Sequence, residues 1–265
     1  MHQKKRIVLI GNNSGMETLC EFFCTKDEVS VVALIHSNKR GSEETAEKYA
    51  RKYDIERIHH PLRKDTEKYQ GFLDHLRSLK PDLAICFSYD RIFDQPFLSV
   101  FGGEVYNLHG ALLPKYRGQN VLNWVLVNGE SKTGMTLHQM DEGIDTGPIV
   151  YQKEIPIDFE DTAVSLKEKM NEAVTELLGR FLPDIVKGDI RVFEQNEAEA
   201  TYFRKRTPED GEFSWSWPAM DIYNLIRALV SPWPGAYYVQ ENEKVVIDSF
   251  MKYEEIVKKQ KEMNI

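Results

Sequence analysis

The run Arg6-Ile7-Val8-Leu9-Ile10-Gly11 is short, continuously apolar and closed by glycine. Such a run reads as a strand buried on both faces, and the next eighty residues repeat its logic. Apolar spacing predicts a helix over 16–23, a strand over 29–35, a polar-faced helix over 43–53 and a short strand over 55–58. A helix over 66–79 follows, and Pro81 introduces another strand over 82–87. Strands alternating with helices pair in parallel through right-handed crossovers. The expected fold class is therefore α/β, a doubly wound and mostly parallel sheet of the Rossmann type. A chain of 265 residues, 42% of them hydrophobic, can build one large domain and a small appendage.

Ligands of such sheets bind outside the carboxyl ends of the strands, so polar residues there carry the functional signal. Gly11-Asn12-Asn13-Ser14-Gly15 follows the first strand but lacks full dinucleotide glycine spacing. It reads as a tight strand-to-helix turn, and no NAD is expected. The stretch 103–108 reads as a strand that, extended through His109, points Asn107 and His109 to one face. Pro114 disfavours a helical Leu113, so an extended loop should follow. The alternating stretch 134–140 reads as another strand, and Gly143, Gly147 and Pro148 mark a loop carrying Asp145.

Three residue types then divide one task. An amide can donate to a developing oxyanion, and imidazole can donate to the same oxygen or exchange a proton near neutral pH. A nearby carboxylate favours the imidazolium form. Taken singly, each residue also has a structural role open to it: Asn107 as a loop cap, His109 as a turn histidine, Asp145 as part of a glycine-rich turn.

Downstream, 162–186 has apolar residues at helical spacing, with Pro183 expected to weaken or end the helix. An aromatic-rich composition begins near residue 200, which divides the chain into a catalytic domain, 1–200, and a small C-terminal region, 201–265. That region is expected to hold a helix over 220–230, a hairpin over 237–250 and a terminal helix. Trp215, Trp217, Trp233, Tyr237 and Tyr238 either pack a seam or, in one case, stack on a nucleobase. Cys20, Cys24 and Cys86 form no even framework or CxxC pair and are expected to be reduced. His59-His60 lacks the spaced partners of a closed zinc site, and no metal is expected. With no signal-peptide pattern and no apolar run of about 18 residues, a cytoplasmic protein without membrane insertion is expected.

Asn107-x-His109-Gly110-x-Leu112-Leu113-Pro114-x-Tyr116-Arg117-Gly118, the loop Asp141-x-Gly143-x-Asp145-x-Gly147, and Pro232-Trp233-Pro234-Gly235-Ala236 together resemble the folate-dependent formyltransferase family. The stretch 107–127, with Leu122-Asn123-Trp124-Val125-Leu126, is most similar to members acting on nucleotide-linked aminosugars. The resemblance implies 10-formyltetrahydrofolate as formyl donor and Asn107, His109 and Asp145 as catalytic residues. It also implies a pterin pocket lined by Phe87, Ser88, Tyr89, Ile92, Asp141, Glu142, Gly143 and Ile144, with Ala111, Leu112, Leu113 and Pro114 as its apolar side. Lys115, Tyr116, Arg117, Gln119, Arg204 and Arg206 are the candidate acceptor-binding residues. The basic ones, with Lys205, are either diphosphate ligands or a solvated cluster. Gln119 departs from the arginine common in relatives acting on an aminoarabinose nucleotide, which bears on the acceptor because an amide cannot replace a guanidinium's bidentate charge.

Relatives that formylate transfer RNA continue into a basic barrel domain. From Thr201 onward this chain has 9 basic and 10 acidic residues, 9 − 10 = −1, and its whole formal charge is −8. That is a poor platform for a nucleic acid. The expected partner is a nucleotide sugar carrying a 4-amino-4-deoxy or 4-amino-4,6-dideoxy group and destined for a surface polysaccharide. A homodimer is expected by resemblance. Methionyl-tRNA formylation and a catalytically idle binding module are the alternatives.

Overall fold

The computed structural model describes residues 4–247 and 249–264. In chain order its elements are β1 (Lys5–Gly11), α1 (Ser14–Phe23), β2 (Val29–His36), α2 (Ser42–Tyr53), β3 (Glu56–His59), α3 (Thr66–Ser78), β4 (Leu83–Phe87), α4 (Gln95–Leu98), β5 (Val105–His109), β6 (Arg117–Gly118), α5 (Val121–Val127), β7 (Lys132–Gln139), β8 (Ile149–Pro156), α6 (Ala163–Lys187), β9 (Tyr202–Phe203), α7 (Ala219–Ala228), β10 (Ala236–Gln240), β11 (Glu243–Ile247) and α8 (Tyr253–Glu262).

Seven strands form one sheet in the order β3-β2-β1-β4-β5-β7-β8. The pairs from β3 through β5 are parallel, and β5 pairs with β7 antiparallel. This is the expected doubly wound, mostly parallel sheet. Its strand order reverses between β1 and β4, and the crevice at such a switch point is where ligands of open α/β sheets bind. Gly15 lets α1 pack there, since a Cβ on it would lie 2.4 Å from Phe87 O.

Two compact units compose the chain. One comprises Met1–His109, Thr136–Gln152 and Val174–Asn196; the other comprises Gly110–Met135, Lys153–Ala173 and Glu197–Ile265. In the first, Ile7, Val8, Leu9 and Ile10 are all fully buried, as a strand covered on both faces requires. One sheet face buries Val8, Ile10, Ile35 and Ala84 against Phe72, Leu76 and Phe97. His60 lies inside this cluster, its ring nearly parallel to those of Tyr69, Phe72, Tyr89, Phe93 and Phe97. The second unit holds the hairpin of β10 and β11, the short parallel pair of β6 and β9, and helices α5, α7 and α8.

Pro183 is expected to weaken or end its helix, and the second alternative is corrected. α6 continues through Pro183 to Lys187. A proline inside a helix costs about 3 kcal/mol through its missing N–H and its clash with the carbonyl four residues back. Continuing the helix keeps Ile185, beyond the proline, fully buried. Such a side chain contributes roughly 1.5–3 kcal/mol, which offsets much of the cost of the break.

Burial, with the Arg91 and Arg63 cations adding to it, pulls the pKa of the His60 imidazole down to about 3. An unfolded histidine takes up its proton near about pH 6.5. Between these values the unfolded chain binds the extra proton, so acid destabilises the fold. The stability His60 confers is whole above the unfolded value and is lost as pH falls toward the folded one, at up to roughly 1 kcal/mol per pH unit. Urea titrations between about pH 6 and pH 4 are expected to show a shallower loss in His60→Phe than in the wild type.

Candidate active site

Asn107 is the third residue of β5 and His109 its last, so strand alternation places both on one face. The antiparallel partner β7 sets His138 directly opposite Asn107 and Thr136 opposite His109. Asn107 Nδ2 lies 3.2 Å from His138 Nε2, and His138 Nδ1 lies 3.0 Å from Gln139 O. A carbonyl can only accept, so Nδ1 carries the proton, and Nε2 is the acceptor that fixes the Asn107 amide. The second Nδ2 hydrogen of Asn107 remains available for another acceptor.

Asp145 stands between the two histidines. Its Oδ2 is 3.5 Å from His109 Nδ1 and its Oδ1 is 3.6 Å from His138 Nε2. The side chains of His109 and Asp145 are only 7% and 14% exposed, so their charges are weakly screened. At 3.5 Å the His109 contact is an ion-pair distance rather than a good hydrogen bond, and catalytic contacts of this length tighten once a substrate excludes water. Burial, reinforced by the Asp145 charge, pushes the neighbouring Cys86 thiol well above its ordinary range, leaving it unreactive.

The loop carrying Asp145 is built to hold it. Asp145 has a left-handed φ of 55°. Asp141 Oδ1 accepts from Gly143 N at 2.9 Å and from Thr146 Oγ1 at 2.6 Å. A Cβ on Gly143 would meet Thr146 Oγ1 at 1.9 Å, and one on Gly147 would meet Gln139 O at 1.9 Å, so both positions require glycine. Gln195 Nε2 clamps the loop by donating to Asp145 O and Gly147 O at 2.8 and 2.7 Å.

The loop after β4 is equally fixed. Asn12, fully buried, donates to Asp90 Oδ1 at 2.8 Å, and Ser37 Oγ donates to the same atom at 2.6 Å. Burial works against the Asp90 charge, yet these hydrogen bonds outweigh it and hold the carboxyl below its ordinary range. Tyr89 OH contacts His60 Nδ1 at 2.8 Å. Ser88, between Phe87 and Tyr89, has a left-handed φ of 53°. Ile92 and Ile144 are 57% and 49% exposed, large apolar side chains at the carboxyl-end loops, while Asp141, Glu142 and Gly143 are exposed beside Ile144.

In the second unit, Ala111 and Leu113 are buried, with Leu112 and Pro114 partly so. The Tyr116 ring stacks on Phe203 at 4.5 Å, and its hydroxyl donates to Glu130. Arg117 is fully buried, its guanidinium held by Glu197 at 2.5 and 3.0 Å and by Tyr202 OH at 2.6 Å. Arg204 pairs with Asp210, while the Arg206 guanidinium lies 4.4 Å over the Trp124 ring. Lys115 and Gln119 are exposed. Among the described residues, no group of three or more His, Cys, Asp or Glu is arranged to hold a metal ion, and no helix is long and apolar enough to cross a membrane.

The sequence reading misses His138 and Gln195, and it does not pair Asn12 of the first turn with Asp90 of the segment after β4. His138 shares a strand face with Thr136 by simple alternation, but its meeting with Asn107 depends on the β5–β7 register, which one sequence does not display.

Solved structures similar to this chain include several N-formyltransferases. The sugar 3N-formyl transferase WlaRD, solved with dTDP and 5-N-formyl-THF, is 21% identical, with 95% of this chain and 89% of that one covered and a TM-score of 0.68. An N-formyltransferase from Helicobacter canadensis, in complex with folinic acid and dTDP-3-aminofucose, is 24% identical, covering 92% of this chain and 86% of that one, with a TM-score of 0.67. A 4-N formyltransferase from Francisella tularensis is 19% identical over 94% of this chain and 98% of that one, with a TM-score of 0.75. At such identities the likeness establishes the fold. The formyl transferase family model matches residues 4–182 and the formyl transferase C-terminal domain matches residues 205–261, so the chain belongs to the formyltransferase family and is a transferase enzyme.

Proposed function

We propose that this enzyme transfers a formyl group from 10-formyltetrahydrofolate to the amine of a nucleotide-linked aminosugar. The reading rests on the convergence of Asn107, His109 and Asp145 at the carboxyl end of β5. It is supported by the similar structures, two of which were solved with a formylated folate and with dTDP or a dTDP-aminosugar. The loops after β4 and β7 suit a flat heterocycle with polar edges. They offer backbone groups in fixed positions, the exposed apolar side chains of Ile92 and Ile144, and glycines where a Cβ would clash. Phe87, Ser88, Tyr89, Ile92 and residues 141–144 are the proposed pterin contacts. We place the functional division near residue 200, between the two family matches.

The bound folate supplies the formyl carbon, activated on nitrogen. As the amine lone pair attacks that carbon, negative charge develops on the formyl oxygen, and Asn107 Nδ2 and protonated His109 donate to it. Asp145 keeps His109 charged and accepts the proton released by the attacking nitrogen. Cleavage of the carbon–nitrogen bond returns the electron pair to the folate nitrogen, which takes up a proton. His138, by fixing the Asn107 amide, aims its donor.

The acceptor sugar is proposed to carry a 4-amino group and to serve surface polysaccharide synthesis. Incubation with 10-formyltetrahydrofolate and a panel of aminosugar nucleotides is expected to release tetrahydrofolate, whereas charged initiator tRNA is expected to give none. Release with the tRNA alone would overturn this acceptor assignment.

A further inference from the structure

Between Arg191 and Glu199 the chain runs over the surface from α6 toward β9, and every residue but Gln195 is exposed. The half-buried amide is the point at which this segment engages the fold. Just before it, Phe193 and Ile149 exchange backbone hydrogen bonds of 2.7 and 2.8 Å, an antiparallel bridge at the start of β8. Continued two residues outward, that register sets Gln195 opposite Gly147. There the side chain takes over from the ladder. Its Nε2 donates to Asp145 O at 2.8 Å and to Gly147 O at 2.7 Å. A primary amide carries two N–H groups, so one side chain reaches both carbonyls.

The loop so gripped is the one that presents the Asp145 carboxylate. Asp145 has a left-handed φ of 55°, a conformation uncommon outside glycine that persists where the surroundings hold it. The direction of its carbonyl is set by ψ, so the bond to Asp145 O fixes the soft dihedral that follows the carboxylate-bearing carbon. From this backbone Oδ2 faces His109 at 3.5 Å and Oδ1 faces His138 at 3.6 Å. Neither separation is a good hydrogen bond, so the aim of the carboxylate comes from its backbone more than from its partners. Misplacing a reacting group by about 1 Å can cost about 10²-fold in rate.

We propose that Gln195 is a positioning residue for formyl transfer: by holding the backbone of Asp145 it keeps the carboxylate aimed at His109 and His138. The inference rests on the role given to Asp145 above. It brings into the site a residue that lies between the two stretches matched by the family.

Steady-state kinetics of Gln195→Met, Asp145→Asn and the double variant test this, run with 10-formyltetrahydrofolate and whichever acceptor the wild type turns over. Methionine keeps the side-chain length and removes both donors. Gln195→Met is expected to lower kcat about 10- to 100-fold, with KM for both substrates near wild type. In the Asp145→Asn background the same substitution should cost less than about threefold, because the charge it aims is already gone. Glu194→Ala, at the exposed neighbour, should match the wild type. Gln195→Ala takes the place of Gln195→Met if the latter does not fold.

Wild-type kcat in Gln195→Met, even with a lowered melting temperature, would overturn the proposal and leave the amide a structural staple. So would an equal loss with and without the Asp145 carboxylate. If the acceptor proves to be charged tRNA, the aminosugar reading falls while the cycle still decides the role of Gln195. If the wild type turns over no acceptor, the functional reading falls and hydrogen exchange decides instead. The amides of Gln139 and Ile149 flank this loop and are hydrogen-bonded to Pro148 O and Phe193 O. They should exchange about 2- to 12-fold faster in Gln195→Met, the factor for one lost hydrogen bond. Unchanged exchange would overturn the proposal.

Discussion

The His109→Ala variant is expected to lose about 10²- to 10⁴-fold in kcat, the range contributed by a positioned acid–base group, with KM for both substrates near wild type. The reason is geometric. Asp145 lies 3.5 Å from Nδ1 of His109, so in the proposed mechanism the opposite ring nitrogen is the one left to face the formyl oxygen. Asn107→Ala removes the other proposed oxyanion donor and should cost about 10²- to 10³-fold. The two donors are proposed to act on one oxygen, so the double variant is expected to lose less than the product of the single losses. Steady-state kinetics on the three proteins, with circular dichroism to confirm folding, measure this. A His109→Ala enzyme within tenfold of wild type would remove the imidazole from the chemistry.

Asp145→Asn carries the second large effect, expected at about 10²- to 10⁴-fold in kcat. Asparagine keeps the shape, and the Gln195 donation to the backbone carbonyl of Asp145 does not depend on the carboxylate. What disappears is the negative charge facing both His109 and His138. Without it the imidazolium loses the carboxylate that faces it at 3.5 Å. Unchanged melting with collapsed kcat is the expected signature. Retained kcat would show that the carboxylate merely shapes its glycine-rich turn.

Much of this site is legible in the sequence because its signals are local. Alternation alone puts Asn107 and His109 on one face, and the crowding around Gly143 and Gly147 explains why the Asp145 loop needs glycine there. The Ile7 to Ile10 run announces a doubly covered strand. What the sequence hides is register and tertiary compensation. His138 meets Asn107 only through the pairing of β5 with β7, and Asp90 is held by Asn12 and Ser37 from two other strand ends. Two elements, α5 and β8, also lack a clear local pattern. α5 has only seven residues, and β8 alternates buried and exposed positions but ends at Pro156. Pro183 misleads because its local cost is visible while the burial of Ile185 beyond it is not. In the same way, Arg117 reads as a free cation in the sequence and stands in the structure against Glu197 and Tyr202.

The most direct measurement is mass spectrometry of a nucleotide aminosugar after incubation with the enzyme and 10-formyltetrahydrofolate. A single N-formyl adduct is predicted with the wild type, with its rate collapsing in Asn107→Ala, His109→Ala and Asp145→Asn. An adduct formed only on charged tRNA, or formed on the sugar at wild-type rate by all three variants, would contradict the account.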